Sequence, residues 1–313
     1  RLMDIHINNS FSIIENKKTK AIAEEIMKII FLVCAFFAVL AVFSITIYMI
    51  LNGTPAIFKI GLKEILFETQ WAAADPKYGI LYVILTSIVG TTFAVLIGVP
   101  IGVLTAVFIA EVAPKQLAAI VKPAVELLAG IPSVIYGLLG IMILNPFMYK
   151  IEKIIFKGSS THQFTGGSNL ISAIIVLAIM ILPTVINISE SSIRAVPREM
   201  RSASLALGAS KIQTIFKVVL PVARSGIMSA IVLGVGRAIG EAMAITLVSG
   251  SSVNLPLPFN SVRFLTTAIV AEMGYAADEH RQVLFTIGLI LFFFIMVVNT
   301  VFAKLLSTNE KEK

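Results

Sequence analysis

Charge is what this sequence has least of. Asp, Glu, Lys and Arg make up only 14% of its 313 residues, the apolar set makes up 57%, and the mean hydropathy is +0.93. Soluble domains carry about 25% charged and about 45–50% apolar residues, so an ordinary cytosolic enzyme, a disordered chain and a coiled coil are all poor fits. Cysteine is scarcer still. A single one, Cys34, excludes an intramolecular disulfide and a thiolate zinc cluster, and three histidines, His6, His162 and His280, lie scattered in polar segments and leave little for an imidazole site. Phosphate-cradling and nucleophile motifs are missing as well. There is no G-x-x-x-x-G-K-[ST], no H-E-x-x-H and no G-x-S-x-G. The string from Gly234 to Gly240 imitates a dinucleotide fingerprint, but its third glycine comes one place late and no strand precedes it. Catalysis by this chain is not expected, and neither a cofactor nor a metal is expected to bind it.

What is present is long uncharged runs. Ile29–Leu51 carries no charge over 23 residues, Ile80–Ala110 none over 31, Leu127–Tyr149 none over 23, Asn169–Ser189 none over 21 and Gln282–Ala303 none over 22. About 20 helical residues cross a hydrocarbon layer, so each run suffices. A further stretch, about 225–250, is interrupted only by Arg237 and Glu241. These runs are apolar on every side, which excludes transmembrane strands with their alternating pattern. The expectation is an all-α polytopic membrane protein with six transmembrane helices. The run at Ile29–Leu51 is too long for the apolar core of a signal peptide and follows 28 residues of mixed charge, so it is expected to be retained as the first helix.

Six helices put both ends of the chain on one side. That side carries 16 Lys and Arg, six of them between 190 and 224, and the opposite side carries 8 over similar loop length. The positive-inside rule then places both termini in the cytoplasm. The expected organisation is a cytoplasmic segment 1–28, a transmembrane domain 29–305 that includes a cytoplasmic loop 190–224, and a tail 306–313. Membrane orientation accounts for the net charge of +7, and no basic patch with interleaved aromatics points to nucleic acid.

Helix breakers are patterned. Gly98, Pro100 and Gly102 fall within five residues of an over-long run, which predicts a kink or a division into two pieces; Gly98 and Gly102 also permit close helix approach. Gly130 and Pro132 predict a bent entry into the third span. Packing explains these features as well as transport does.

The loop at 190–224 is structured by its sequence. Helix formers follow Pro197 and end at Gly208; a second helical piece follows, with Ser210 as N-cap and Gln213 as its capping-box partner. Ile212, Ile215, Phe216 and Val219 share one face at spacings of 3, 4 and 7. Such a hairpin has too little core to stand alone, so it must pack against something: a soluble partner, or its own membrane domain.

At this point the residues resemble a known pattern. Ser202, Ala203, Gly208, Leu220 and Pro221 stand where ABC importer permeases carry their coupling-loop motif of Glu-Ala-Ala, three residues, Gly, nine residues, Ile, one residue and Leu-Pro. The glycine, the nine-residue gap and Leu220-Pro221 match; Ser202, Ser204 and Val218 depart from Glu, Ala and Ile. The segments Leu128–Gly137 and Gly236–Ala244 are similar to the PstC family, membrane subunits of phosphate ABC importers. The resemblance implies a type I ABC importer permease fold in which the hairpin docks on an ATPase through Ile212, Ile215 and Phe216. It also implies a heterodimer with a subunit resembling PstA, two PstB-like ATPases that bind ATP and Mg, and an external phosphate-binding protein resembling PstS.

Arg237 and Glu241 are four residues apart, so on one helix their side chains would meet. Burying Arg at mid-membrane costs about 2.5–3.5 kcal/mol on the insertion scale. Two roles account for that cost: a place in the anion pathway, where a planar guanidinium meets phosphate oxygens, or a salt bridge that fixes the heterodimer. Gly236 and Gly240 form a further small-residue pair that could admit a partner helix. Other readings are a permease for molybdate or sulfate, which shares the coupling loop, and an ion-driven secondary transporter, which predicts paired charges in both halves where this sequence has one pair. A nontransporting scaffold leaves the charged pair and the hairpin without work.

Overall fold

The structure is a computed structural model, and it describes residues 2–72, 77–159 and 162–310. The last three residues of the expected tail lie outside that set.

Long apolar runs become long helices. Helix α1 (Leu2–Ile60) is the first, and its candidate span is Glu24–Ile60. The chain to Asn52 forms one compact unit and the chain from Gly53 a second. In the first unit the side chains of Ile29–Leu51 are exposed almost throughout, as suits a helix whose surroundings are lipid.

The second unit is a helical bundle. Helix α2 (Leu62–Phe67) leads to the two-residue strands β1 (Trp71–Ala72) and β2 (Lys77–Tyr78), an antiparallel pair that is the only sheet among the described residues. Helix α3 (Leu81–Val107) follows and closes in a π-helical turn at Phe108–Val112. The expected division at Gly98–Gly102 does not occur: α3 and its π turn form one continuous span of 32 residues, with Pro100 inside it. A proline removes one backbone hydrogen bond, and a neighbouring helix packed against that stretch holds the helix together. The neighbour here is α7 (Leu170–Arg194), the most enclosed element of the bundle. A Cβ on Gly98 would stand 2.6 Å from Ile181, and one on Gly102 would stand 2.8 Å from Val185, so both glycines serve close approach.

Between them lie α4 (Lys115–Gly130), α5 (Ser133–Leu139), a π turn at Gly140–Leu144 and α6 (Asn145–Ile155). The bend expected at Gly130–Pro132 is a complete break: Ile131 and Pro132 are extended, and the third span begins at Ser133. After α7 come α8 (Arg198–Ala206), α9 (Lys211–Thr214), a π turn at Ile215–Val219, α10 (Leu220–Val222) and α11 (Arg224–Gly240). The stretch Lys211–Val222 meets α11 at 70°. Then follow α12 (Met243–Val248), α13 (Leu265–Glu272) and α14 (Asp278–Glu310).

Among the described residues five helices are long and apolar enough to cross a membrane, and the bent pair, taken as one span, raises the number to six. The chain is thus an all-α multi-span membrane protein. The fifth expected span, about 225–250, is not one helix, because α11 stops at Gly240 and α12 begins only at Met243.

Candidate functional site

The hairpin is built by local chemistry. Gly208 ends its first arm at φ +86°, a left-handed conformation that glycine adopts without strain. Ser210 then caps α9: its Oγ accepts from the Gln213 amide at 3.2 Å, and the Gln213 side chain accepts from the Ser210 amide at 2.9 Å. A hydroxyl contact of 2.9 Å between Ser204 and Thr214 ties the arms together.

Its apolar face is divided. Ile215 and Val219 are buried in a cluster with Ala106, Ile109, Val125, Ile186 and Ile193, contributed by α3 with its π turn, α4 and α7. Ile212 and Phe216 stay outside that cluster, 69% and 54% exposed, as do Leu205 and Leu207 of the same hairpin, the latter 90% exposed. The four residues expected on a single face therefore form two stripes, because the π turn at Ile215–Val219 has a wider winding than the α-helix assumed from their spacing. The inner stripe seats the hairpin on the bundle. The outer stripe has no cover among the described residues. Ser202, Ala203 and Pro221 are exposed, and Leu220 is half-buried against the inner cluster.

Arg201 fastens the hairpin's root. Its guanidinium donates to Glu111 from Nη2 at 2.8 Å and from Nε at 3.0 Å, to the carbonyl of Ile193 at 2.8 Å and to that of Val196. Beside it the buried Glu190 accepts from Lys122 at 3.2 Å and pairs with Arg194 one turn on. Sequence reasoning missed this root; the i, i+4 spacing of Glu190 and Arg194 was the available signal.

The second part of the site is the break after α11. Arg237 lies in the last turn of α11, half-buried, and donates from Nη1 to Thr184 of α7 at 3.5 Å. Its charge also reaches Tyr136 of α5, whose hydroxyl donates to the carbonyl of Leu128 at 2.7 Å. Glu241 is the first residue past the helix, with extended backbone at φ −73°, ψ 127°. Its Oε1 accepts from the Ala244 amide at 3.0 Å, and its carbonyl accepts from the Thr266 hydroxyl at 2.7 Å. The expected Arg237–Glu241 contact on one helical face is thus absent. The helix ends between them, and the carboxylate satisfies a first-turn amide of α12 instead. Thr184, Tyr136 and Thr266 become part of the site only through the fold. Among the described residues no atom of another element lies within 4 Å of where a Cβ on Gly236 or Gly240 would stand, so this small-residue pair packs on none of them. The packing glycine of α11 is Gly234, which meets Val185 of α7.

The end of the bundle away from the hairpin holds two more buried carboxylates. Glu272 accepts from His280 at 2.7 Å and from the Trp71 indole at 3.2 Å and pairs with Arg263. Glu152 receives His162 at 2.8 Å and the Thr165 amide at 3.0 Å. These networks tie the connecting segments together, and they account for two of the three histidines. Burial, reinforced by Glu279, pushes the Tyr78 phenol of this region above its ordinary value.

The family described as "Binding-protein-dependent transport system inner membrane component" matches over residues 98–309. A probable ABC transporter permease protein, YqgH of Bacillus subtilis, is 36% identical over 297 residues, covering 91% of this chain and 93% of that protein. The phosphate transport system permease protein PstC of Xylella fastidiosa (strain 9a5c) is 33% identical over 301 residues, covering 92% and 93%. Among solved structures, the bacterial alginate ABC transporter superposes with a TM-score of 0.55 at 15% identity over 85% of this chain and 92% of that one. The inward-facing MetNI methionine ABC transporter gives 0.51 at 19% identity over 74% and 94%. Those two likenesses speak for the fold. The family match and the sequence relatives together establish that this chain belongs to the inner membrane components of binding-protein-dependent transport systems.

Proposed function

We propose that this chain is the membrane-spanning permease subunit of an ATP-driven importer of inorganic phosphate, lining the translocation pathway together with a second permease subunit. What carries the substrate reading is the similarity to PstC proteins across nine-tenths of the chain, including the segment around Arg237. What supports the coupled mechanism is the hairpin, whose uncovered Leu205, Leu207, Ile212 and Phe216 offer an apolar docking face to an ATPase.

In this reading residues 190–224 form the cytoplasmic coupling loop, 1–28 and 306–313 flank the membrane domain on the same side, and 29–305 make up the permease domain. ATP and Mg are bound by two PstB-like subunits, and an external PstS-like protein delivers the anion. The open side of Gly236 and Gly240 faces a second permease resembling PstA. Arg237 offers the translocating anion a guanidinium held by Thr184 and not neutralised by Glu241. Its half-burial keeps water present and the site weak enough to release its ligand.

Uptake of labelled phosphate into proteoliposomes holding the assembled complex tests this reading, with molybdate and sulfate as competitors. Phosphate uptake that needs ATP and resists both competitors is the expected result. Preferential uptake of another oxyanion would replace the substrate, and uptake driven by an ion gradient without ATP would replace the mechanism.

A further inference from the structure

Beneath the hairpin, where α3 and α7 end, lies a cavity of about 480 Å³ lined by Ala110, Glu111, Arg194, Arg198, Arg201 and Ser202. Three guanidiniums and one carboxylate line it. Its cations are not equally committed. Arg201 gives its donors to Glu111 and to two carbonyls. Arg194 bonds Glu190 through Nε and the Ile109 carbonyl through Nη2, and Glu190 is shared with Lys122. Arg198 is exposed, and its guanidinium has no ion pair or hydrogen bond among the described residues; only its carbonyl is engaged, by the Ser202 hydroxyl at 3.1 Å. Arg194, Arg198 and Arg201 line the cavity against Glu111, and the Lys122–Glu190 pair behind Arg194 adds no net charge, which leaves an excess of two positive charges. Glu199 of the same turn does not line it.

We propose that this cavity binds a phosphate-type oxyanion, either free inorganic phosphate or the phosphate of an anionic lipid headgroup. Two unbalanced positive charges match such a group, and a guanidinium with all its donors free meets its oxygens bidentately. The position fits both sources, because Glu111 and Arg194 close two membrane spans and so mark the level where hydrocarbon gives way to water. It is a different place from Arg237. Thr184, which holds Arg237, and Arg194 are ten residues apart on α7, about 15 Å along the axis. An anion between Arg194 and Arg198 would join the membrane bundle to the hairpin's first turn. Occupancy would therefore stiffen the root of the hairpin through which we propose the ATPase acts.

The test uses the full chain in nanodiscs, in an Arg237→Gln background so that the pathway site is silent. In discs of phosphatidylcholine alone, inorganic phosphate is titrated by calorimetry. In discs that also contain phosphatidylglycerol, retained lipid is counted by native mass spectrometry. Arg198→Gln should weaken one of the two by about tenfold, the loss of one charge-assisted contact, and Arg198→Lys should restore part of it. Loss in the first arm identifies free phosphate, and loss in the second alone identifies the headgroup. The Arg198 guanidinium makes no hydrogen bond or ion pair among the described residues, so circular dichroism should be unchanged. Unaltered binding in both arms overturns the proposal. So does a fall in ATPase association with anion binding intact, because the cavity would then receive a partner's carboxylate. Phosphate uptake by the complex with Arg198 and Arg237 intact, measured in parallel, reports on the transport reading independently.

Discussion

Arg237 and Glu241 stand one helical turn apart in sequence but on either side of a helix end, and each bonds a different neighbour: Thr184 for the guanidinium, the Ala244 amide for the carboxylate. The consequence is a division of labour. Arg237 keeps its positive charge available, and Glu241 holds the start of α12 while its carbonyl receives Thr266 of α13. The cost of a half-buried arginine then belongs to whatever Arg237 meets, since no carboxylate among the described residues pairs with it.

Separate bonds should give separable effects. Residues without a shared partner add within about 0.3–0.5 kcal/mol, whereas a direct ion pair couples by about 0.5–3 kcal/mol. The losses of thermal stability for Arg237→Gln, Glu241→Gln and the double variant should therefore add. A double variant no less stable than the weaker single variant would restore the ion pair and sink the division of labour.

Arg237 itself should report charge sign. Lysine keeps the charge and loses the planar fork, so Arg237→Lys should retain partial uptake, while Arg237→Gln should nearly abolish it with the complex still assembled. Full uptake per complex in Arg237→Gln would leave the residue structural.

The cap predicts a different ranking at Glu241. Glutamine preserves a carbonyl oxygen for the Ala244 amide; alanine does not, and loss of such a cap costs about 0.5–2 kcal/mol. Thermal stability should fall in the order wild type, Glu241→Gln, Glu241→Ala. Equal loss in both variants would mean that the charge, not the cap, is what matters there.

Much of this was legible in the residues, and the failures have physical causes. Uncharged runs locate the spans because lipid tolerates few charges, and Gly208, Ser210 and Gln213 specify their turn because each acts on its own backbone within a few positions. The break at Glu241 was hidden, since an i, i+4 charge pair reads as helix whether or not the helix continues. Pro100 misled in the opposite direction: a breaker by local rules, it is carried through by α7 packing on Gly98 and Gly102. Arg201 reaching Glu111, ninety residues away, has no local signature at all.

The α3–α7 contact gives a stability prediction. Gly98→Val would drive its side chain into Ile181, whose atoms lie 2.6 Å from the new Cβ, and into the Ala178 carbonyl at 3.0 Å. Overpacking of this kind costs about 1–3 kcal/mol, and two backbones that must stay close can relieve little of it. Melting followed by tryptophan-independent light scattering should shift downward, and a matched Ile181→Ala change should recover part of the loss. A neutral Gly98→Val would show that α3 and α7 are free to separate.

The divided hairpin face gives the last prediction. Ile215 is buried in the cluster that seats the hairpin, so Ile215→Ala should cost about 2–5 kcal/mol and loosen the chain whether or not a partner is present. Ile212 and Phe216 are largely exposed, so Ile212→Ser with Phe216→Ser removes little from the isolated chain and should leave its melting temperature nearly unchanged. The same pair should abolish co-purification of the ATPase and, with it, uptake. Gly208→Val tests the geometry behind the face. A β-branched residue resists φ +86°, so the turn should reorient, membrane insertion should persist and ATPase association should fall. Pull-down of the ATPase with each variant, normalised to inserted permease, decides the matter. Undiminished association in the double serine variant would show that the outer stripe is not the docking surface, whatever the stability of Ile215→Ala.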